Sequence, residues 1–149
     1  MQGGITNYPI HLKIDTGMHR LGFTEEDVPE LMSRIQNQTG VRIQSVFSHL
    51  AASESWNFDE FTLEQIKTFK KIAKVIEQNC HYPIMKHILN SAGIERFPPE
   101  EQMDMVRLGD KPLRGQRQRS RRIEECLHSK NNRSANKAYK SRRNGRLWA

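Results

Sequence analysis

Hydrophobic and polar residues alternate along the first part of the chain. Between Tyr8 and Asp15 the apolar side chains of Ile10, Leu12 and Ile14 alternate with polar ones, and this period of two predicts a β-strand. Similar apolar runs predict three more strands, over residues 41–50, 85–91 and 103–109. The last two runs leave room for no more than a turn between them.

Two amphipathic segments separate the first three strands. The first is predicted to be a helix that begins at Asp27, with Pro29 in its first turn, Glu30 placed for a capping box, and a buried face of Leu31, Met32 and Ile35. The second is predicted to begin with a capping box formed by Thr62 and Gln65. Its apolar residues recur at helical spacing: Leu63, Ile66, Phe69, Ile72, Ala73 and Ile76. This order of strands and helices predicts a parallel α/β fold.

The charge of the chain changes abruptly after Gly109. Residues 1–109 contain 11 Lys and Arg against 14 Asp and Glu, whereas residues 110–149 contain 13 against 3. The net charge of +7 therefore comes from the C-terminal tail, residues 110–149. That tail is rich in Arg and poor in large aliphatic residues, and we expect it to be disordered.

Cysteine usage and hydropathy exclude several classes of protein. Cys80 and Cys126 lie on either side of the charge boundary without CxxC or Cys/His spacing, so neither a disulfide framework nor a zinc site is predicted. No apolar run approaches the roughly 20 residues that a membrane-spanning helix needs. The N-terminus has no signal-peptide pattern. We expect a soluble, cytoplasmic protein that does not bind membranes.

Polar residues follow each predicted strand. They are Asp15, Thr16, Gly17 and Arg20 after the first, Ser48 and His49 after the second, Asn90 and Ser91 after the third, and Arg107 near the end of the fourth. In parallel α/β folds the carboxyl ends of the strands carry the functional residues. Each residue alone could be structural, as a buried histidine, a turn or an ion-paired arginine. Together, two arginines, a histidine and a hydroxyl favour an anionic ligand that bears phosphate or carboxylate.

Four sequence stretches carry a resemblance to a known family. KIDTGMHRLGF, FSHLAASE, HILNSAGIERFP and MVRLG, in this order and spacing, resemble the barrel domain of alanine racemase, the pyridoxal-phosphate enzyme that interconverts L- and D-alanine. The resemblance covers about residues 5 to 109. It implies that residues 1–109 form the second half of a (β/α)8 barrel, that the cofactor is pyridoxal 5′-phosphate, and that alanine is the substrate of a homodimer. The D-alanine would supply peptidoglycan for the cell wall.

The resemblance also implies roles for individual residues. Arg20 matches an arginine that holds the substrate carboxylate and the phenolic oxygen of the cofactor. Lys13 matches a lysine that is often carbamylated, and the resulting anion braces that arginine. His49 matches a histidine against the cofactor ring, and Ser91 a serine at its phosphate. Arg107 matches an arginine facing the pyridine nitrogen, which stays unprotonated because arginine keeps its own proton. Asn90 and Gly109 complete the predicted binding set.

Two catalytic groups of the family have no counterpart in this sequence. Family enzymes use a Schiff-base lysine and a tyrosine from the partner subunit as their two bases. Neither motif occurs in the 149 residues, so no catalytic residue and no metal ligand is predicted here. We expect the chain to be a truncated, inactive fragment of an alanine racemase. The alternative within the same fold is a racemase of another amino acid.

The family pattern stops at Gly109, where the tail begins with DKPLRG instead of a strand resembling GIxLYG. When the tail is back-translated with freely chosen synonymous codons and shifted by one base, it yields a racemase-like continuation that begins INLYGVSAS. We therefore interpret residues 110–149 as read out of frame after one extra nucleotide, or an equivalent shift, just after the Gly109 codon. The alternative is a basic arm that binds nucleic acid by counterion release. Two basic stretches, RQRSRR and KSRRNGR, favour that alternative. Few aromatic residues lie between them, so stacking on bases is poorly supported.

Overall fold

The computed structural model describes residues 4–109, which form a three-stranded parallel sheet and three α-helices. The elements are β1 (Tyr8–Lys13), α1 (Val28–Gln36), β2 (Val41–Phe47), α2 (Asp59–Cys80), β3 (Met85–His87) and α3 (Ser91–Arg96), with 3₁₀ turns at Trp56–Phe58 and Pro99–Gln102. The strand order is β1-β2-β3 and both pairs are parallel. The predicted parallel α/β fold is therefore confirmed.

The predictions for the tail and for Cys126 lie outside the described residues. These concern disorder of residues 110–149, their out-of-frame origin and their binding of nucleic acid. Within residues 4–109, no helix is both long enough and apolar enough to cross a membrane. The same residues contain no cluster of three His, Cys, Asp or Glu side chains placed to hold a metal ion.

The register of the sheet brings all strand ends to one edge. β1 pairs with β2 from Tyr8 opposite Val41 to Lys13 opposite Phe47, with one irregularity after Ile10. β2 pairs with β3 up to Phe47 opposite His87. We call the edge beyond these last pairs the carboxyl edge, and it comprises residues 14–20, 48–49, 88–91 and 107–109. Every residue predicted to bind a ligand lies on this edge or, like Lys13, directly before it.

The core contains the apolar residues of the sheet and of the long helix α2. Its fully buried members include Ile14, Ile43, Val46, Ile66, Phe69, Ile72, Ile76, Ile88 and Leu89. The apolar face predicted for α2 is thus mostly confirmed, although Leu63 is 48% exposed. On α1, Met32 is buried, whereas Leu31 and Ile35 are only half-buried.

Both predicted capping boxes are wrong. α2 begins at Asp59, three residues before Thr62, whose hydroxyl instead donates to the carbonyl of Phe58 within the first turn, at 2.8 Å. At the start of α1 the Asp27 carboxylate accepts from Thr24 and leaves the helix amides uncapped. Glu30 pairs with Arg34 one turn later, at 2.6 Å, and so is not free to cap. Pro29 does lie in the first turn, as predicted.

The strand predictions after α2 were too long. β3 ends at His87, because the Asn90 side chain accepts from the Gly93 amide at 2.9 Å and begins α3 directly afterwards. A helix and a 3₁₀ turn therefore separate the last two apolar runs, where a turn alone was predicted. No strand is assigned within residues 103–109. That segment runs beside β3 through only two backbone hydrogen bonds, Asp104 to Lys86 and Arg107 to Leu89.

Candidate binding site at the carboxyl edge

The turn after β1 depends on two glycines. Gly17 has φ of +128° and Gly22 has φ of +118°, a region that residues with a Cβ rarely adopt. A Cβ on Gly22 would lie 2.8 Å from the carbonyl oxygen of Lys13, because the chain folds back and pairs Phe23 with Ile14. The turn is tight, and Arg20 lies exposed within it.

Asp15 stabilises the same turn from inside. Its Oδ1 accepts from the Gly17 amide at 2.9 Å and from the His19 amide at 3.0 Å. Burial alone would raise the pKa of Asp15, but these two amide hydrogen bonds outweigh it, and the pKa is lowered. The carboxylate is therefore ionised and already engaged by backbone amides.

Lys13 also contacts this turn. Its ammonium group donates to the carbonyl of Leu21, the residue next to Arg20. No hydrogen bond or ion pair to another described residue is found for the Arg20 guanidinium, which is exposed. Lys13 thus holds the backbone beside Arg20, and the predicted carbamylation of its amine stays a prediction.

Gln65 ties the ends of β1 and β2 together and was missed by the sequence analysis. This side chain on α2 is only 1% exposed. Its oxygen accepts from the Ala51 amide at 3.0 Å, and its nitrogen lies 3.4 Å from both the Thr16 hydroxyl and the His49 carbonyl oxygen. The spacing of Gln65 from Thr62 predicts a capping box, but the side chain makes these tertiary contacts instead. The buried face on which it lies, together with Ile66 and Phe69, was the available clue.

His49 lies among three positive charges. Its partial burial lowers its pKa, and the nearby charges of Arg107, Arg20 and Lys13 lower it further. These four predicted residues come from three separate parts of the chain, and the fold brings them together. The imidazole is consequently kept neutral in a region of positive potential.

Arg107 spans the ends of two strands. Its guanidinium donates to the carbonyls of Ser48 and, at 3.3 Å, of Ile88, and it lies 5.2 Å from the ring centre of Phe47. Burial lowers the pKa of Arg107. The contacts on backbone carbonyls leave further guanidinium N–H groups for a ligand, since an arginine has five donors.

Asn90, Ser91 and Gly109 form the third part of the site. The Gly109 amide donates to the Ser91 hydroxyl at 2.9 Å, so the hydroxyl hydrogen of Ser91 remains available to donate outward. Asn90 has no such freedom at its oxygen, which accepts from both Ser53 and Gly93 at 2.9 Å. Asn90 therefore acts here as a connector between backbone segments. Ser53 was not among the predicted residues, and no local sequence pattern marks it.

Comparisons with known proteins point to one family. A family model described as alanine racemase, N-terminal domain, matches residues 3–110. The chain is 42% identical over 105 residues to the alanine racemase of Fusobacterium nucleatum, which covers 69% of this chain and 28% of that protein. It is 36% identical over 101 residues to alanine racemase 1 of Oceanobacillus iheyensis, covering 67% and 26%.

A solved structure gives the same result. The crystal structure of alanine racemase from D-cycloserine producing Streptomyces lavendulae matches with a TM-score of 0.62 and 29% sequence identity. The match covers 70% of this chain and 28% of that one. The chain spans about a quarter of the length of the curated relatives it matches.

Proposed function

This chain belongs to the alanine racemase family, and from that membership we propose that its described residues form part of the cofactor- and substrate-binding barrel of a pyridoxal-phosphate-dependent alanine racemase. The three parallel strands would be consecutive strands in the second half of a (β/α)8 barrel. The carboxyl edge is where such barrels bind their ligands. We propose alanine as the substrate because the relatives of this chain are alanine racemases.

The gathering of positive charge around His49 carries the proposal. Arg107, Arg20 and Lys13 all act on this imidazole, whereas the nearest acid of the first turn, Asp15, is already engaged by backbone amides. Such an arrangement is favourable when an anion binds between the cations. Pyridoxal phosphate and an amino-acid carboxylate are both anions, and both would be bound in this place.

The donor groups at this edge fit the cofactor. Ser91 keeps a hydroxyl hydrogen for a phosphate oxygen, because its oxygen accepts from Gly109. Arg107 keeps guanidinium donors for the pyridine nitrogen while its bonds to backbone carbonyls fix its direction. When bound, the cofactor would supply an electron sink that acidifies the α-hydrogen of alanine.

Arg20 and Lys13 would hold the substrate side of the site. Arg20, at the tip of the glycine turn, would bind the alanine carboxylate through its planar guanidinium. Lys13 would fix the backbone beside it through the Leu21 carbonyl, and carbamylation would convert this cation into an anion that pairs with Arg20 directly. His49 would stay neutral and lie against the cofactor ring.

The two bases that family members need for proton transfer are not among these groups. Arg20 and Arg107 do not release protons at ordinary pH, and His49 is assigned to the ring face. We therefore propose that the 149 residues alone do not racemise alanine. The whole reaction would need the lysine and tyrosine that other parts of a family enzyme supply.

A chimera tests this function. Residues 5–109 would replace the matching segment of the Fusobacterium nucleatum enzyme, and racemisation would be followed by the change in optical rotation of L-alanine. We expect the chimera to be active and its Arg20→Ala variant to be inactive. The Arg34→Ala variant is the control and should stay active, because Arg34 is an exposed residue of α1. A chimera that folds and binds pyridoxal phosphate yet racemises another amino acid instead would contradict the assignment to alanine.

A further inference from the structure

Arg96 is a buried cation away from the charges around His49. It lies in the last turn of α3, and its side chain is only 9% exposed. Its polar contacts reach the loop between β2 and α2 and the first residue of α2: the guanidinium donates to the Ser53 carbonyl and to the Asp59 carboxylate, and lies 4.1 Å from the ring centre of Trp56. One side chain thus contacts this loop at two points and the start of α2 at a third.

These contacts are part of a hydrogen-bond network that includes Asn90 of the binding site. The hydroxyl of Ser53, whose carbonyl Arg96 holds, donates to Asn90 Oδ1 at 2.9 Å. The same Asn90 oxygen accepts from the Gly93 amide and so begins α3, the helix that ends with Arg96. This hydrogen-bond network holds the turn that contains Asn90 and Ser91 against the loop that follows His49.

The energetics of this arginine do not favour a purely structural role. Burying a guanidinium costs several kcal/mol in desolvation, and proteins in which a whole buried ion pair is replaced by apolar side chains of similar volume are often as stable or more stable. Within the described part of the chain, the buried Nε of Arg96 has no hydrogen-bond partner, which adds to the cost. An apolar residue would lack only the directional hold on the Ser53 carbonyl and the Asp59 carboxylate.

We propose that Arg96 is a positioning residue, which sets the distance between the His49 loop and the Asn90–Ser91 turn and so adjusts the site for the phosphate-bearing ligand. This inference rests on the proposed function. Arg96 itself does not touch the ligand. It acts through Ser53. The carbonyl oxygen of Ser53 accepts from Arg96, and its hydroxyl donates to Asn90.

The test measures ligand affinity and local opening separately, in the full 149-residue chain. Equilibrium dialysis would give the affinity for pyridoxal 5′-phosphate of the wild type and of Arg96→Lys, Arg96→Met and Ser53→Ala. Arg34→Lys is the matched control, because this arginine is also ion-paired but is 78% exposed. Amide hydrogen exchange at Gly93, measured by NMR, reports on the Asn90 hydrogen bond without any ligand.

Each Arg96 variant should bind on the order of tenfold more weakly, since misplacement of a binding group by a fraction of an ångström has effects of this size. Ser53→Ala should give a similar loss, and the double variant Arg96→Lys/Ser53→Ala should lose no more than either single one. Arg96→Met, which leaves the Asp59 carboxylate without its partner, should melt at a lower temperature. Arg96→Lys keeps a cation beside Asp59 and should keep its melting temperature while it loses affinity, a combination that a purely structural role would not predict. Exchange at Gly93 should accelerate in all three single variants and not in the Arg34→Lys control.

Two results would overturn the proposal: an affinity of the Arg96 variants within twofold of the wild type, or unchanged exchange at Gly93. If the wild-type chain binds no pyridoxal phosphate, the proposed function of this chain fails. Exchange at Gly93 then still decides whether Arg96 positions the turn.

Discussion

His87 should make the stability of this protein depend on pH over an unusual range. The imidazole is 5% exposed, stacks on Phe47 with ring centres 5.2 Å apart, and has its Nε2 atom 3.4 Å from the Ser45 hydroxyl. Its Nδ1 has no hydrogen-bond partner among the described residues. Burial, followed by the charges of Arg107 and His11, lowers the pKa of His87 from 6.5 to about 4.

The sign of the effect follows from the direction of this shift. The folded protein binds a proton at His87 more weakly than the unfolded chain does, so protonation favours unfolding. The stabilisation is complete above pH 6.5, decreases as the pH falls toward 4, and changes no further below that. The pKa of His87 differs between 6.5 in the unfolded chain and about 4 in the folded protein. At about 1.4 kcal/mol for each pKa unit, this difference corresponds to about 3 kcal/mol in the free energy of unfolding.

Urea unfolding at pH 7.5 and pH 4.5 would measure this contribution. Between pH 7.5 and pH 4.5, the free energy of unfolding of the wild type should fall by about 2 to 3 kcal/mol more than that of His87→Gln, which cannot take up a proton at this position. His81→Asn is the control, because His81 is an exposed residue whose left-handed backbone asparagine tolerates. The reasoning would be refuted if wild type and His87→Gln lost equal stability, or if NMR titration placed the His87 pKa near 6.5.

Three further predictions concern the backbone and Arg107. Gly22→Ala should destabilise the fold by roughly 2 kcal/mol or more in urea unfolding, because its Cβ would meet backbone atoms at 2.8–3.0 Å; an equal midpoint would contradict this. Met103→Gly should raise stability by about 1 kcal/mol in thermal unfolding, since Met103 has φ of 52° and ψ of −131°, and a lower melting temperature would argue against strain there. Arg107→Lys should weaken pyridoxal phosphate binding about tenfold in equilibrium dialysis, and full affinity would count against the role of Arg107. The reason is that Nη2 of Arg107 contacts both carbonyls and leaves its other guanidinium nitrogens for the ligand, whereas lysine has a single nitrogen for both tasks.

Periodicity predicted the elements that have strong local signals. β1 and α2 appear where alternation and helical spacing placed them. The ends of elements were less predictable, because they depend on contacts that are distant in sequence. Gln65 fits a capping pattern locally, but tertiary contacts with Ala51 and Thr16 determine its role.

The candidate site was predicted from strand ends and family resemblance, and the fold brings His49, Arg107, Arg20 and Lys13 together as expected. Ser53 and Arg96 could not be predicted in the same way. Their contacts join residues 37 and 43 positions apart in sequence, and neither residue follows a strand directly. Only the packing of α3 against the loop after β2 makes the connection visible.

Binding of pyridoxal 5′-phosphate by the 149-residue chain, compared with pyridoxal, tests the central claim most directly. The two compounds differ only in the phosphate, which Ser91 and the positive charges of the carboxyl edge would bind. We predict saturable binding of pyridoxal 5′-phosphate that is at least about tenfold tighter than that of pyridoxal, as charge-assisted hydrogen bonds to the phosphate require. Equal affinity for the two compounds, or no binding of either, would contradict the assignment of this edge as a cofactor site.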